Sequence, residues 1–292
     1  MLLKPPRTLD EQVSRLQSEH GLIIEDVYKA KEILSRVNYY RLSAYGIGLK
    51  RSDAPERYRD GVSLEMLDRL YSFDSRLRSS LLHILEHMEI ELRTQLAYSF
   101  SLRYGSEGYM DVSNFRDRPN SHGESIHEIV IRNFRQEVSR QKNLPFVRHH
   151  IEKYEGHFPL WVAVELFSFG MLSSLYSIMR PDDQKSISRF YQVKPHVLVS
   201  WMQSLVDVRN RCAHYGRIYN MPLSTTPFLF PELSQYRSNR IFPVILILHR
   251  LMKGKPAWKT FFLELEALVD EHCEIHLDFI GFPSEWKSVL EK

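Results

Sequence analysis

From Ser63 to about Tyr104 the chain holds a single helical phase, and no other feature limits its fold as strongly. Apolar side chains recur at Leu64, Leu67, Leu70, Leu77, Leu81, Ile84, Met88, Leu92 and Leu96. Steps of three and four residues put them on one face of an α-helix, which other elements must cover. Strand-like alternation is scarce elsewhere, so the covering elements are expected to be helices. The predicted class is all-α, a helical bundle with additional helices at its N-terminal end.

The remaining signals agree. Thr8 and Glu11 form a capping box that opens a first helix ending at Gly21. A second helix is expected from about 25 to 37. Residues 105–123 hold three glycines, a proline and several turn formers, and interrupt the pattern. Helices resume at about 124–141 and 145–155, and a buried one is expected over 160–179. Pro181 opens another, Pro195 precedes one over 196–215, 221–236 reads as loop, and two more follow near 241–253 and 257–277. Two organisations fit: an N-terminal segment over 1–60 with a main domain over 61–292, or one domain throughout.

Composition excludes several classes. With 43% hydrophobic and 26% charged residues, the chain is an ordinary folded protein rather than a disordered one. A net charge of +3 tolerates a polyanionic partner without demanding one. Only two cysteines occur, Cys212 and Cys273, which favours a reducing compartment over a disulfide framework. The first residues lack the apolar core of a signal peptide. The most apolar stretch, 158–178, is interrupted by Pro159, Glu165 and Gly170 and is too short to span a bilayer. A cytoplasmic location without membrane association is expected.

The chemistry concentrates in 197–220, VLVSWMQSLVDVRNRCAHYGRIYN. On a helix, Leu198, Trp201, Leu205, Val208 and Cys212 share one face and should pack inward. Asp207, Asn210, His214 and Arg217 form a polar stripe on the other side, with Arg209 at the edge of the apolar face. Ala213 lies between Arg209 and His214 and leaves room for a phosphate. A guanidinium suits phosphate because its planar fork donates two parallel hydrogen bonds. An imidazole suits proton transfer because its reference pKa of about 6.5 lies near working pH. The spacing alone is a weak motif: chance supplies about one such pair in a chain this rich in Arg and His, and Arg15/His20 and Arg78/His83 repeat it. The bland alternative is a helix end, with His214 near the C-terminal dipole before Gly216.

RNRCAHYGRIYN resembles the Arg-Asn-x-x-Ala-His signature of HEPN ribonucleases, in the form found in abortive-infection proteins of the AbiD/AbiF type. Three further blocks resemble that family in the same order: NYYRLSAY at 38–45, LYSFDSRLRSSLLHILEHMEIELRTQLAY at 70–98 and PLWVAVELFSFGMLSSLY at 159–176. Segments 105–143 and beyond 221 carry little that matches. The resemblance implies a HEPN-type bundle and a metal-independent endoribonuclease, with no cofactor, in which the ribose 2′-hydroxyl attacks the adjacent phosphate. Carried over, His214 would move the proton, Arg209 would stabilise the phosphorane, and Asn210 would orient one of them or bind the phosphate. It further implies a toxin of anti-phage defence, a homodimer that brings two motifs into one cleft, an RNA substrate and, in some members, a small structured RNA partner. Arg217 and Asn220 repeat the family's Arg-x-x-Asn tail. They and Arg211 are candidates for RNA contact, with capping and bracing the alternative. A catalytically silent RNA- or protein-binding module of the same type is the competing reading.

Other residues read first as structure. Asp74/Arg78 and Glu89/Arg93 have the acid four residues ahead of the base, the favoured order for a helix ion pair, and are read as structural braces that could be buried against the motif helix. Glu165, alone in an apolar run, needs a partner or a proton. Tyr39, Tyr40 and Arg41 are helix-packing residues or a surface that stacks on RNA bases. His83, Glu86 and His87 have the His-x-x-Glu-His order of inverted zinc peptidases, with Glu165 as a third ligand, but without the sheet-containing fold those enzymes need.

Overall fold

A computed structural model describes residues 5–272 and 274–291. Cys273 therefore lies outside the described residues. The chain runs through α1 (Leu9–Ser18), α2 (Val27–Arg36), α3 (Tyr39–Ser43), α4 (Leu64–Tyr104), α5 (Ile126–Arg140), α6 (Pro145–Lys153), α7 (Leu160–Ala163), α8 (Phe169–Ile178), α9 (Pro181–Phe190), α10 (Pro195–Ala213), α11 (Phe242–Met252), α12 (Pro256–Glu271) and α13 (Trp286–Glu291). Only isolated β-bridges occur among the described residues, so the fold is an all-α helical bundle.

The long helix forms where its periodicity demands. All nine apolar positions from Leu64 to Leu96 are no more than 2% exposed, and each buried leucine contributes roughly 2 kcal/mol of transfer free energy. The Ser63 hydroxyl accepts from the Met66 amide at 3.1 Å and caps the first turn. Gly105, at φ +78°, ends the helix. The Thr8–Glu11 capping box is present in both directions.

The chain divides into two compact units. The first takes residues through 81, 211–222 and from 260 onward; the second takes 82–210 and 223–259. In the first, Leu16, Ile33, Leu42, Tyr45, Phe73, Tyr219, Phe261 and Trp286 form the core. In the second, α5 packs on α8, and Met88, Phe100, Phe134, Phe167, Leu172, Trp201 and Leu205 are buried.

The expected helix over 160–179 is instead two helices with a break. α7 gives way to a short 3-10 turn over Val164–Leu166, Phe167 is extended, and the Ser168 hydroxyl caps α8 by accepting from the Met171 amide at 3.2 Å. The break turns Glu165 outward. It is exposed rather than buried, and among the described residues it has no hydrogen-bonded or ionic partner. The expectation that it must pair or be neutral is corrected accordingly, because water solvates the carboxylate. No helix among the described residues is long and apolar enough to cross a membrane.

Candidate functional site

The helix that carries the motif is α10. Leu198, Trp201, Leu205, Val208 and Cys212 are each no more than 2% exposed, as the wheel predicts. Burial pushes the Cys212 thiol up to about 12. Arg209 emerges from the edge of this face with its side chain 36% exposed. Its Nε lies 3.4 Å from Oε2 of Glu89, and its Nη1 donates to Asn210 Oδ1 at 3.4 Å. The other Glu89 oxygen accepts from Arg93, whose guanidinium also donates to the Val164 carbonyl. Buried Glu89 thus shares its charge between two arginines, one of them the motif's. Asn210 is exposed. Further back on α10, Asp207 accepts from the Ser224 and Thr225 amides at 2.8 and 3.2 Å and pins the start of the following loop.

Arg209 and Asn210 belong to the second unit and His214 to the first. His214 is the residue directly after α10 and is exposed, and among the described residues it makes no hydrogen bond or ion pair. The helix closes there by a Schellman pattern. The Gly216 amide donates to the Arg211 carbonyl at 2.7 Å and the Tyr215 amide to the Cys212 carbonyl at 3.1 Å. The left-handed position is Tyr215, at φ +57°, and not Gly216. Gly216 is required for a different reason: a Cβ there would meet Arg211 Cγ at 2.8 Å and its carbonyl oxygen at 3.1 Å. Tyr215 is 70% exposed, and its carbonyl accepts from Arg41 Nη1 at 2.8 Å.

The segment behind His214 is anchored from below. Asp74, fully buried, accepts from the Ile218 amide at 3.0 Å, the Tyr219 amide at 2.7 Å and the Tyr45 hydroxyl at 2.7 Å, and it pairs with Arg78. Burial pushes its carboxyl up from the ordinary range, and Arg78, Tyr45 and the two amides pull it back. Arg211 donates to the Pro222 carbonyl at 2.9 Å, while Arg217 donates to the Ala44 carbonyl and lies over the Tyr45 ring. Both therefore brace the loop. Asn220, half-buried, takes φ +48°, a conformation asparagine tolerates better than most residues.

Sequence reasoning found the two α4 ion pairs by their spacing. It read both pairs as braces against the motif helix but not which atoms meet, that Asp74 accepts from the 218 and 219 amides and Glu89 pairs with Arg209, because both contacts span more than a hundred residues. The NYYRLSAY block held the only local hint, since Arg41, Ala44 and Tyr45 all contact the segment after α10.

His83, Glu86 and His87 are exposed on α4, the two imidazoles edge to edge at 5.1 Å. No three His, Cys, Asp or Glu side chains gather into a metal-binding group among the described residues, so Glu165 does not join them.

The fold and these geometries give an all-α protein in which Arg209 is partly exposed and Asn210 and His214 are exposed. A family model described as Abi-like protein matches residues 32–220, well over half of the chain and all of the motif. The chain belongs to this Abi-like family. No curated protein and no solved structure matches it.

Proposed function

We propose that this protein is a HEPN-type endoribonuclease that cleaves RNA by attack of a ribose 2′-hydroxyl, acting as a toxin in abortive infection. The observation that carries the reading is that Arg209, Asn210 and His214 all reach solvent at one helix end while Glu89 holds Arg209 from its buried side. In the reaction the 2′-oxygen bonds to phosphorus and the bond from phosphorus to the 5′-oxygen breaks. One proton leaves the 2′-hydroxyl and one reaches the departing 5′-oxygen, giving a cyclic phosphate and a 5′-hydroxyl. His214 would carry out proton transfer. Arg209 would stabilise the charge that grows on the phosphorane, where a fixed donor is worth most. Asn210, which accepts from Arg209, would orient that guanidinium or bind the phosphate itself.

The reaction needs two proton transfers, and the motif supplies one imidazole per chain. A homodimer that pairs two motifs would supply the second. The apolar stripe of Ile90, Tyr98, Leu102 and Trp161, exposed in the second unit, supports self-association. Cytoplasmic action on cellular RNA, with or without a structured RNA partner, belongs to the same reading.

The test is cleavage of single-stranded RNA by the wild type and by Arg209→Ala and His214→Ala, with circular dichroism confirming the fold. Each substitution is expected to lower cleavage by at least about a hundredfold. Undiminished cleavage in both variants rejects the site. Salt-sensitive binding without cut products in the wild type favours the silent binding module.

A further inference from the structure

Within the first unit lies a cavity of about 570 Å³ that the motif does not use. Arg7, Arg15, His20, Asn38, Tyr39 and Tyr40 line it. Its size falls in the range of small-molecule sites, about 300–1,000 Å³. Its chemistry is mixed in a specific way: two arginines, two tyrosine rings, an imidazole and the amides of Gln12 and Asn38.

The polar atoms are arranged rather than scattered. His20 Nδ1 lies 2.6 Å from the Glu56 carbonyl, so that nitrogen carries the proton and Nε2 is left to accept from the Tyr39 hydroxyl at 3.2 Å. This fixes the Tyr39 ring. Burial pushes the Tyr39 hydroxyl above its ordinary range; the Arg15 cation and, more weakly, Arg7 draw it back, while the Glu19 carboxylate pushes it further up. Arg15 Nε pairs with Glu19 Oε2 at 2.7 Å by charge, without hydrogen-bond geometry. Among the described residues, the terminal nitrogens of Arg15 and the guanidinium of Arg7 meet no acceptor. The Asn38 oxygen is spent on the Tyr40 amide at 2.8 Å, which leaves its NH₂ to donate. Tyr40 itself is 84% exposed, so its ring is open to a stacking partner.

The cavity is connected to the motif by adjacent residues. Tyr40 precedes Arg41, and Arg41 donates to the carbonyl of Tyr215, which follows His214. We infer that this cavity binds one nucleotide of single-stranded RNA beside the cleaved linkage, its base stacked on Tyr40 and Tyr39 and its phosphate held by Arg7 and Arg15. The inference rests on the ribonuclease reading and gives that enzyme a substrate subsite. Every base offers a π-face, so stacking of this kind accepts strands of varied sequence, while Asn38 can discriminate among base edges. Arg7, Arg15 and His20 precede the family-matched segment 32–220, so this part of the subsite is built from chain outside the match.

The experiment uses full-length protein carrying His214→Ala, so that substrate survives, and a fluorescein-labelled single-stranded oligoribonucleotide of roughly ten nucleotides. Anisotropy is read across a salt series. Tyr40→Ala is expected to weaken binding about tenfold, and Tyr40→Phe, which keeps the ring, to restore it. Removing Arg7 or Arg15 should flatten the dependence of log Kd on log salt by about 0.7 each. Affinity within twofold of the parent in Tyr40→Ala, with an unchanged salt slope in both arginine variants, overturns the subsite. So does adenosine monophosphate binding as tightly as the strand, which would assign the cavity to a free nucleotide. These readouts do not depend on cleavage. Persistent cleavage in Arg209→Ala and His214→Ala rejects the motif as the site, absence of cut products from the wild type rejects the nuclease reading, and unaltered strand binding in the Tyr40 and arginine variants sinks the subsite alone.

Discussion

Glu89 lies beneath Arg209, its Oε2 3.4 Å from the arginine Nε, while its other oxygen accepts from Arg93. The carboxylate is 8% exposed. An anion in that position fixes a guanidinium that would otherwise sweep through many rotamers, so the Arg209 fork is held in one orientation.

Glu89→Ala should therefore damage both stability and activity. It leaves Arg93 and Arg209 without their shared anion, and breaking a buried pair costs about 3–5 kcal/mol. Because Arg209 is partly exposed, the lower end is expected. Glu89→Gln, which keeps the shape and one acceptor, should lose less stability but still lower cleavage at least tenfold. Urea unfolding alongside cleavage rates checks both, and full activity in Glu89→Gln would show that Arg209 needs no support.

Asp74→Ala removes the acceptor for two backbone amides and a tyrosine hydroxyl and leaves Arg78 buried without its partner. A loss of about 3–5 kcal/mol is expected. Hydrogen exchange at the 218 and 219 amides should accelerate more than exchange in α11. Uniform acceleration across the chain would mean that Asp74 supports the whole core rather than this segment.

Tyr215 occupies a left-handed position that glycine fills without strain. Tyr215→Gly should raise unfolding free energy by roughly 0.5–1 kcal/mol, read from the urea midpoint. If the ring serves the substrate, RNA affinity falls in the same variant that gains stability. A destabilised Tyr215→Gly protein would show that the side chain packs.

Acid should weaken the fold through His249. Burial, with Lys253 and Arg250 nearby, lowers its pKa from 6.5 to about 4. The unfolded chain therefore takes up this proton near pH 6.5, whereas the folded chain resists until about 4. Its contribution is complete above pH 6.5 and is lost as pH falls toward 4. Melting temperature should decline across that window, and His249→Phe, which keeps an aromatic ring against Trp258, should flatten the decline. An identical pH profile in the variant would assign the effect to other groups.

What the sequence disclosed was the part governed by local rules. The α4 stripe, the Thr8 capping box, the loop over 221–230 (Pro231–Tyr236 turns into a 3-10 helix) and the buried face of α10 each follow from spacing within a few turns. The break at Phe167 was hidden because the apolar residues on both sides of Glu165 outweighed the Ser168 capping signal, and the reading of one helix carried Glu165 inward with it. The left-handed residue after α10 was illegible for a similar reason: Gly216 looked like the helix stop, while a close approach to Arg211 was its actual constraint. Contacts such as Glu89 to Arg209 depend on where distant segments meet, and no local pattern encodes that.

The buried thiol of Cys212 has a practical consequence. Held as the neutral form by a pKa of about 12, it is a poor nucleophile and stays dark to alkylating reagents and peroxide while its turn is closed. Any modification at this sulfur therefore records an opening of the very turn that precedes His214, which makes Cys212 a native clock for how often the C-terminal turn of α10 comes undone.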